Sequence, residues 1–241
     1  MSAPRTARER VREEMTAEIL AVARRHVAEQ GAAALSLRSV ARDLEMAPSA
    51  LYRYFDGRDA LLSALILDAY ESLATEAERA AAEAQGRPGG DLEHWSAVPR
   101  ALRGWALAHP HEWGLIFGAP VPGYHAPETT IEPYARIATA LMRPVADALA
   151  AGRLTEPDGP APAELRAAVA PVAEGLFPEL EGDALPTATV VHMVGAFSTL
   201  VGVVSLEVFG HWRNTILDPA VFFEATLRDL GAAVGLTSLD S

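Results

Sequence analysis

"MAPSALYRYFDGRDALL", residues 46–62, gathers a proline, two tyrosines and two arginines among small residues, far more chemistry than a plain amphipathic helix requires. Upstream, "MTAEILAVARRHVAEQG" places Met15, Ile19, Val22, Ala23 and Val27 on one helical face and ends at Gly31, a natural helix stop. Ser36 can cap a short helix, "LRSVARDLE", whose Leu37, Val40, Ala41 and Leu44 form a single stripe. Pro48 suits the first turn of another short helix, where its missing N–H has no partner to lose. On that helix Leu51 and Phe55 point inward, while Pro48, Ser49, Tyr52 and Arg53 fall on the opposite side. A long helix then starts near Arg58–Asp59 and runs to about Ala84.

Two short helices joined by a tight turn, after a longer supporting helix, make a helix-turn-helix. A helix that enters a major groove needs small residues at its leading end, so that backbone and side chains reach base edges. Pro48, Ser49 and Ala50 supply that. Tyrosine hydroxyls and arginines at the groove margin bond phosphates and fix register. Tyr52, Arg53, Tyr54 and Arg58 are placed for this, and Arg58 lies at a helix start, where N–H groups favour anions. The competing reading is a three-helix cap whose tyrosines are half-buried structural residues.

The stretch "ILAVARRHVAEQG…LSLRSVARDLEMAPSALYRYFDGRDALL" resembles the N-terminal domain of the TetR family of bacterial transcription regulators, over about residues 15–65. By that resemblance the DNA-binding segment is about Ser36–Phe55, which brings Ser36, Arg38, Ser39 and Ala47 into the candidate contact set, and Arg58 takes the place of the usual phosphate-binding lysine. Glu45 stands where the family usually has glycine; a left-handed conformation there would cost about 1 kcal/mol, so a slightly rearranged turn is expected. Ala47 stands where a Ser or Thr cap is usual, forgoing about 1 kcal/mol.

The remainder of the chain has a different character. Residues 1–60 hold 10 arginines against 9 acidic residues; the rest hold 10 against 23, within a formal net charge of −12. There is no lysine and no cysteine, which excludes disulfides, thiol nucleophiles and cysteine metal sites. A near-neutral, arginine-dense start on an acidic body leaves only the start to meet a polyanion. The polar N-terminus is unlike a signal peptide, so a cytoplasmic location is expected.

Beyond "QGRPGGD" (85–91), helical patterns resume at about 93–108, 111–118, 129–151 and 163–175, with a Pro/Gly-rich turn before the last of these. Pro186 and Thr187 open a long apolar helix ending near Gly210, and Asp218–Pro219 begin a final one by cap and N1 proline. The run "VVHMVGAFSTLVGVVSL" (190–206) is broken by polar residues and glycines, so a buried helix is expected rather than a membrane span. No strand pattern, repeat or heptad is visible.

"LRGWALAHPHEWGLIFGAPVPGY" (102–124) resembles the WHG-type C-terminal domain found within the TetR family, over about residues 95–210. The resemblance implies a helical domain that dimerises and binds a small effector. Independently, six of the 16 aromatics cluster here: Trp95, Trp105, Trp113, Phe117, Tyr124 and Tyr134. Aromatic walls with a few polar groups suit a small-molecule pocket, and His192 joins them as a candidate, although each residue could instead be core.

Gly195, Ser198, Thr199 and Gly202 form a face of small residues that lets a second helix approach. With Phe223 and Leu227 of the last helix, they are the candidate dimer contacts. His109, His111 and His125 lack recognisable metal-ligand spacing, and no cofactor motif or catalytic constellation stands out. The reading is an all-α protein with two domains: residues 1–60 a helix-turn-helix DNA-binding domain, residues 61–241 an effector-binding and dimerisation domain. It would be a homodimeric regulator of the repressor type, released from a palindromic operator by a small apolar or amphipathic ligand. An all-helical enzyme with an aromatic active site, or a helix-turn-helix protein without a ligand, are the rivals.

Overall fold

The computed structural model describes residues 6–155, 162–176 and 186–236, and these form helices and turns with no strand. The order is α1 (Ala7–Gln30), a 3-10 turn (Ala32–Ala34), α2 (Leu37–Asp43), α3 (Pro48–Leu51), α4 (Arg58–Gln85), α5 (Asp91–Ala108), α6 (Pro110–Phe117), a second 3-10 turn (Glu128–Thr130), α7 (Ile131–Ala150), α8 (Ala163–Leu176), α9 (Thr187–Val208) and α10 (Pro219–Ala233). Helix limits fall within a few residues of those read from periodicity. The Pro/Gly-rich turn expected before α8 lies largely outside the described residues.

The chain divides into two compact units, and the division is not at residue 60. The first unit comprises residues 1–70 together with 111–130; the second comprises 71–110 and 131–241. The reason is apolar. Leu61, Leu62, Leu65 and Ile66 on the first turns of α4 are buried in the same core as Ile19, Val22, Val40 and Leu51. Leu115, Ile116, Val121 and Tyr124, from α6 and the loop after it, pack against that core as well. Removing residues 61–70 would strip the first three helices of the surface they fold upon.

Polar ties fix the first unit further. His26, buried on α1, holds Asp43 at the end of α2 at 2.6 Å, and this hydrogen bond, with help from Arg42, keeps the Asp43 carboxyl below its ordinary range. Arg24 pairs with Asp68 at 2.6 Å, joining α1 to α4. Gly31 ends α1 at φ 81°, ψ 158°, a region that only glycine occupies readily.

In the second unit, arginines bridge the helices. Arg103 of α5 donates two hydrogen bonds to Glu207 of α9, and Arg100 donates two to Glu224 of α10 at 2.9 and 2.8 Å. Arg136 of α7 reaches back to Glu71 and Glu78 on α4, and Arg153 fixes Asp91 at the start of α5. Asp218 caps α10 through the N–H groups of Ala220 and Val221, as its sequence suggests. Phe223 and Leu227 are buried in this unit, so they serve the chain's own core and are not free to meet a partner.

The α2–α3 turn is not rearranged by Glu45. The residue takes up the left-handed conformation at φ 54°, with its N–H bonded to the Arg42 carbonyl and that of Met46 to the Ala41 carbonyl. These two bonds are the Schellman pattern, which requires a left-handed residue between them. Glu45→Gly should therefore stabilise the protein by about 0.5 kcal/mol, the relief of strain offset in part by the extra freedom of glycine in the unfolded chain. Thermal melting checks this, and a lower midpoint for the glycine variant would contradict it.

Candidate functional site

The exposed surface of the first unit is built around α3, which has one turn only. Ala47 sits at its N-cap without a side-chain cap bond, Pro48 occupies the first position, and Leu51 is wholly buried. Pro48 and Ser49 are exposed and Ala50 is half-buried, so the leading end of the helix is small and open to solvent. Tyr52 is 52% exposed and Arg53 is exposed at its trailing end. On α2, Arg38 is exposed; Ser36 and Ser39 are half-buried. Ser36 stands at the N-cap position of α2 but makes no cap bond with its side chain. The Ser39 hydroxyl instead donates to the Ser36 carbonyl at 2.9 Å.

Two of the tyrosine and arginine assignments change. Tyr54 is half-buried and packs against the first unit's core, with the Arg12 guanidinium 5.7 Å from the centre of its ring. Arg58 turns its guanidinium inward. It donates to the carbonyls of Leu35 (3.2 Å), Ala32 (3.1 Å) and Ala33 (3.3 Å) and pairs with Asp59. The Ala32 carbonyl already accepts the Leu35 N–H at 3.3 Å, and a planar five-donor group reaches it together with the carbonyls of Ala33 and Leu35. This leaves little donor capacity for a phosphate.

The seven candidate ligand residues are divided between the two units. Trp113, Phe117 and Tyr124 belong to the first unit, where Trp113 lies 4.5 Å from Phe117, Phe117 meets Tyr70 edge-on at 6.3 Å, and the Tyr124 hydroxyl is 2.9 Å from that of Ser63. Trp95 and Trp105 are buried in the second unit. The Trp105 indole donates to Ser72 at 3.0 Å, and its ring stacks on His109. His192 is half-buried on α9 and does not line the cleft described next. Apolar α6 and the loop after it are drawn to the first unit's core, and this places Trp113, Phe117 and Tyr124 there.

Tyr134, one of the seven, lines a cleft. It is about 380 Å³ in volume and lies within the second unit between α7, α8 and α9. Ile131 and Met142 share the α7 wall with Tyr134; Val172 comes from α8, Phe197 and Ser198 from α9. Tyr134 meets Phe197 edge-on at 5.7 Å, and burial pushes its phenol above the ordinary value, so the hydroxyl is neutral at physiological pH. Sequence inspection missed Met142, Val172 and Phe197 because they read as ordinary core positions; only the gap between three helices distinguishes them. The volume suits a compact ligand.

Arg58→Ala should cost stability as well as any DNA contact, because it takes this donor from the Ala33 and Leu35 carbonyls and leaves Ala32 only the Leu35 N–H. A loss of about 1–3 kcal/mol is expected, read from chemical unfolding. A variant as stable as the wild type would return Arg58 to the surface.

Comparison with known proteins agrees with this arrangement. A model for the bacterial regulatory proteins of the tetR family matches residues 19–65, and one for a tetracyclin repressor-like C-terminal domain matches residues 95–230. The chain is 38% identical over 230 residues to the HTH-type transcriptional regulator Rv1816 of Mycobacterium tuberculosis, covering 92% of this chain and 93% of that one. An HTH-type regulator of Mycobacterium bovis is similar to the same extent. Among solved structures, regulatory protein SCO4313 is 38% identical with a TM-score of 0.71, covering 93% of this chain and 98% of the other. A TetR family transcription regulator from Marinobacter aquaeolei shares the fold at a TM-score of 0.60 and 18% identity, over 95% of this chain and all of its own. These relatives are regulators and not enzymes, and the chain belongs with them: it is a member of the TetR family of transcriptional regulators, with a DNA-binding helix-turn-helix in α2 and α3.

Proposed function

We propose that this regulator is a cytoplasmic homodimer that represses from a near-palindromic operator and is released by a small apolar or amphipathic compound. The observation that carries the reading is the outer face of α9. Gly195, Ser198, Thr199 and Gly202 are all exposed, and a Cβ at either glycine would meet nothing within 4 Å. Val194 (38%), Leu206 (44%) and Phe209 (45%) are large apolar residues left open at or just beyond the same helix. The helix is long and apolar enough to cross a membrane, despite its polar interruptions, and only about a third of its most apolar stretch is buried. Its apolar character serves two packed sides: one in the chain's core, through Val190, Met193, Ala196, Leu200 and Val204, the other for a partner copy. The dimer contacts are thus the small-residue face and not Phe223 or Leu227.

Ser198 belongs both to that face and to the wall of the cleft. A ligand in the cleft therefore sits beside the proposed seam, and a ligand that prefers one dimer arrangement shifts the population toward it. Two recognition helices related by a two-fold axis read half-sites about one helical turn apart.

Gly202→Leu tests the seam, since a Cβ added there meets nothing within 4 Å in the isolated chain. Sedimentation should show a wild-type dimer and a variant shifted toward monomer with an unchanged melting profile; a wild-type monomer at micromolar concentration would reject the reading. For the cleft, a thermal-shift screen of apolar compounds should find stabilisers of the wild type that fail on Tyr134→Ala. Operator affinity without ligand should stay within about twofold in that variant. Compounds that stabilise both proteins alike would place the site elsewhere.

A further inference from the structure

The first turns of α1 raise a question that the helix-turn-helix does not answer. Residues 6–14 are all exposed, and the first buried residue of the helix is Ile19. Twelve residues separate Ala7 from Ile19, which is about 18 Å of helix at 1.5 Å per residue. Residues 6–14 bury nothing, so core packing gives no reason for the helix to reach this far. Yet its start is built with care: Thr6 and Glu9 form a full capping box, the Thr6 N–H donating to Glu9 at 2.7 Å and the Glu9 N–H donating to the Thr6 hydroxyl at 3.3 Å.

The pattern of residues along α1 shows what this segment presents. At 100° per residue, Arg8, Arg12, Met15, Ile19 and His26 lie on one narrow stripe. Its C-terminal part is buried or packed in the first unit's core: Ile19 and His26 are buried, and Met15 packs against them. Where the core ends, the same stripe changes from apolar to arginine. Arg10 lies on the opposite side, with Glu14 following at i+4, and Glu9 is occupied by the cap, so the acidic residues of this segment do not share the arginine stripe.

Arg12 is anchored beside the reading helix. Its Nη2 donates to the Arg53 carbonyl at 3.4 Å, and its guanidinium stands over the Tyr54 ring. Both partners lie immediately after α3, next to exposed Tyr52. Arg8 is one turn farther out on the same stripe, exposed and clear of that contact.

We propose that the N-terminal extension of α1 is a second DNA-contacting element, with Arg8 and Arg12 forming a phosphate clamp that continues the surface at the trailing end of α3. The clamp would be sequence-independent: it adds affinity and fixes the angle of approach, while α3 reads the bases. It also resolves the charge problem posed by Arg58. With that guanidinium committed to backbone carbonyls, α1 supplies the cations that a helix-turn-helix in an acidic chain needs.

The test uses the full-length chain and a mixed-sequence duplex of about 30 base pairs, with the salt dependence of binding followed by fluorescence anisotropy. Each phosphate contact contributes a slope of about −0.9 in log affinity against log salt. Arg8→Ala and Arg12→Ala should each flatten the slope by about 0.9, and the double variant by about 1.8. Arg8→Lys should restore it, because a phosphate contact of this kind needs charge rather than a planar fork. Arg213→Ala, at an exposed arginine of the second unit, is the control and should leave the slope unchanged. Arg8 makes no contact whose loss would unfold the chain, so its result stands whatever Arg12→Ala does to stability. An unchanged slope in Arg8→Ala, or a slope that falls equally in the Arg213 control, would overturn the clamp.

Discussion

Leu51 is the residue on which the reading surface depends. A helix of four residues cannot form by itself, because nucleating a helical turn fixes several dihedrals for one hydrogen bond. What holds α3 is the burial of Leu51, and of Phe55 just beyond it, in a core supplied by α1, α2 and the first turns of α4. Burying two such side chains contributes about 3–6 kcal/mol, enough to fix a helix whose outer side has no packing of its own. The outer side is then free to carry small and polar residues chosen for DNA. The division of labour follows from the shortness of the helix.

Arginine is used in two opposite ways. In the second unit it is structural: Arg100, Arg103 and Arg136 each make paired hydrogen bonds to carboxylates on other helices, and those carboxylates favour the charged arginine still further. A lysine's single nitrogen cannot reproduce this planar two-nitrogen fork. Exposed pairs of this kind are worth little individually, but the Arg103–Glu207 pair is largely sheltered and links the middle of the unit to α9. In the first unit Arg58 is likewise structural, and the arginines with open surroundings lie on α1, α2 and the segment after α3. A count of charges along the sequence does not separate these two uses.

The same separation governs the aromatics. Clustering between residues 95 and 134 is a real feature of the sequence, but the cluster is shared between two compact units. Trp113 and Phe117 are held with Tyr70, Trp95 and Trp105 fill the second unit, and Tyr134 faces an open cleft. Proximity along the chain groups side chains that the fold then sorts by which core each helix joins.

Periodicity, caps and stops were enough to establish the all-helical class, nearly every helix limit and the helix-turn-helix, because these are local properties: an i, i+4 stripe, Asp218 before Pro219, Gly31 after Val27. The small-residue face of α9 was legible for the same reason. What only the tertiary structure decided is which surface each helix spends on its neighbours. It placed residues 61–70 and 111–130 in the first unit, turned Arg58 toward backbone carbonyls, buried Phe223 and Leu227, and opened a cleft among Met142, Val172 and Phe197. None of these follows from local pattern, since an apolar or cationic side chain has the same appearance in a sequence whether it meets its own core, a stray carbonyl, a ligand or a phosphate. The free energy that chooses among them comes from contacts between residues far apart in the chain.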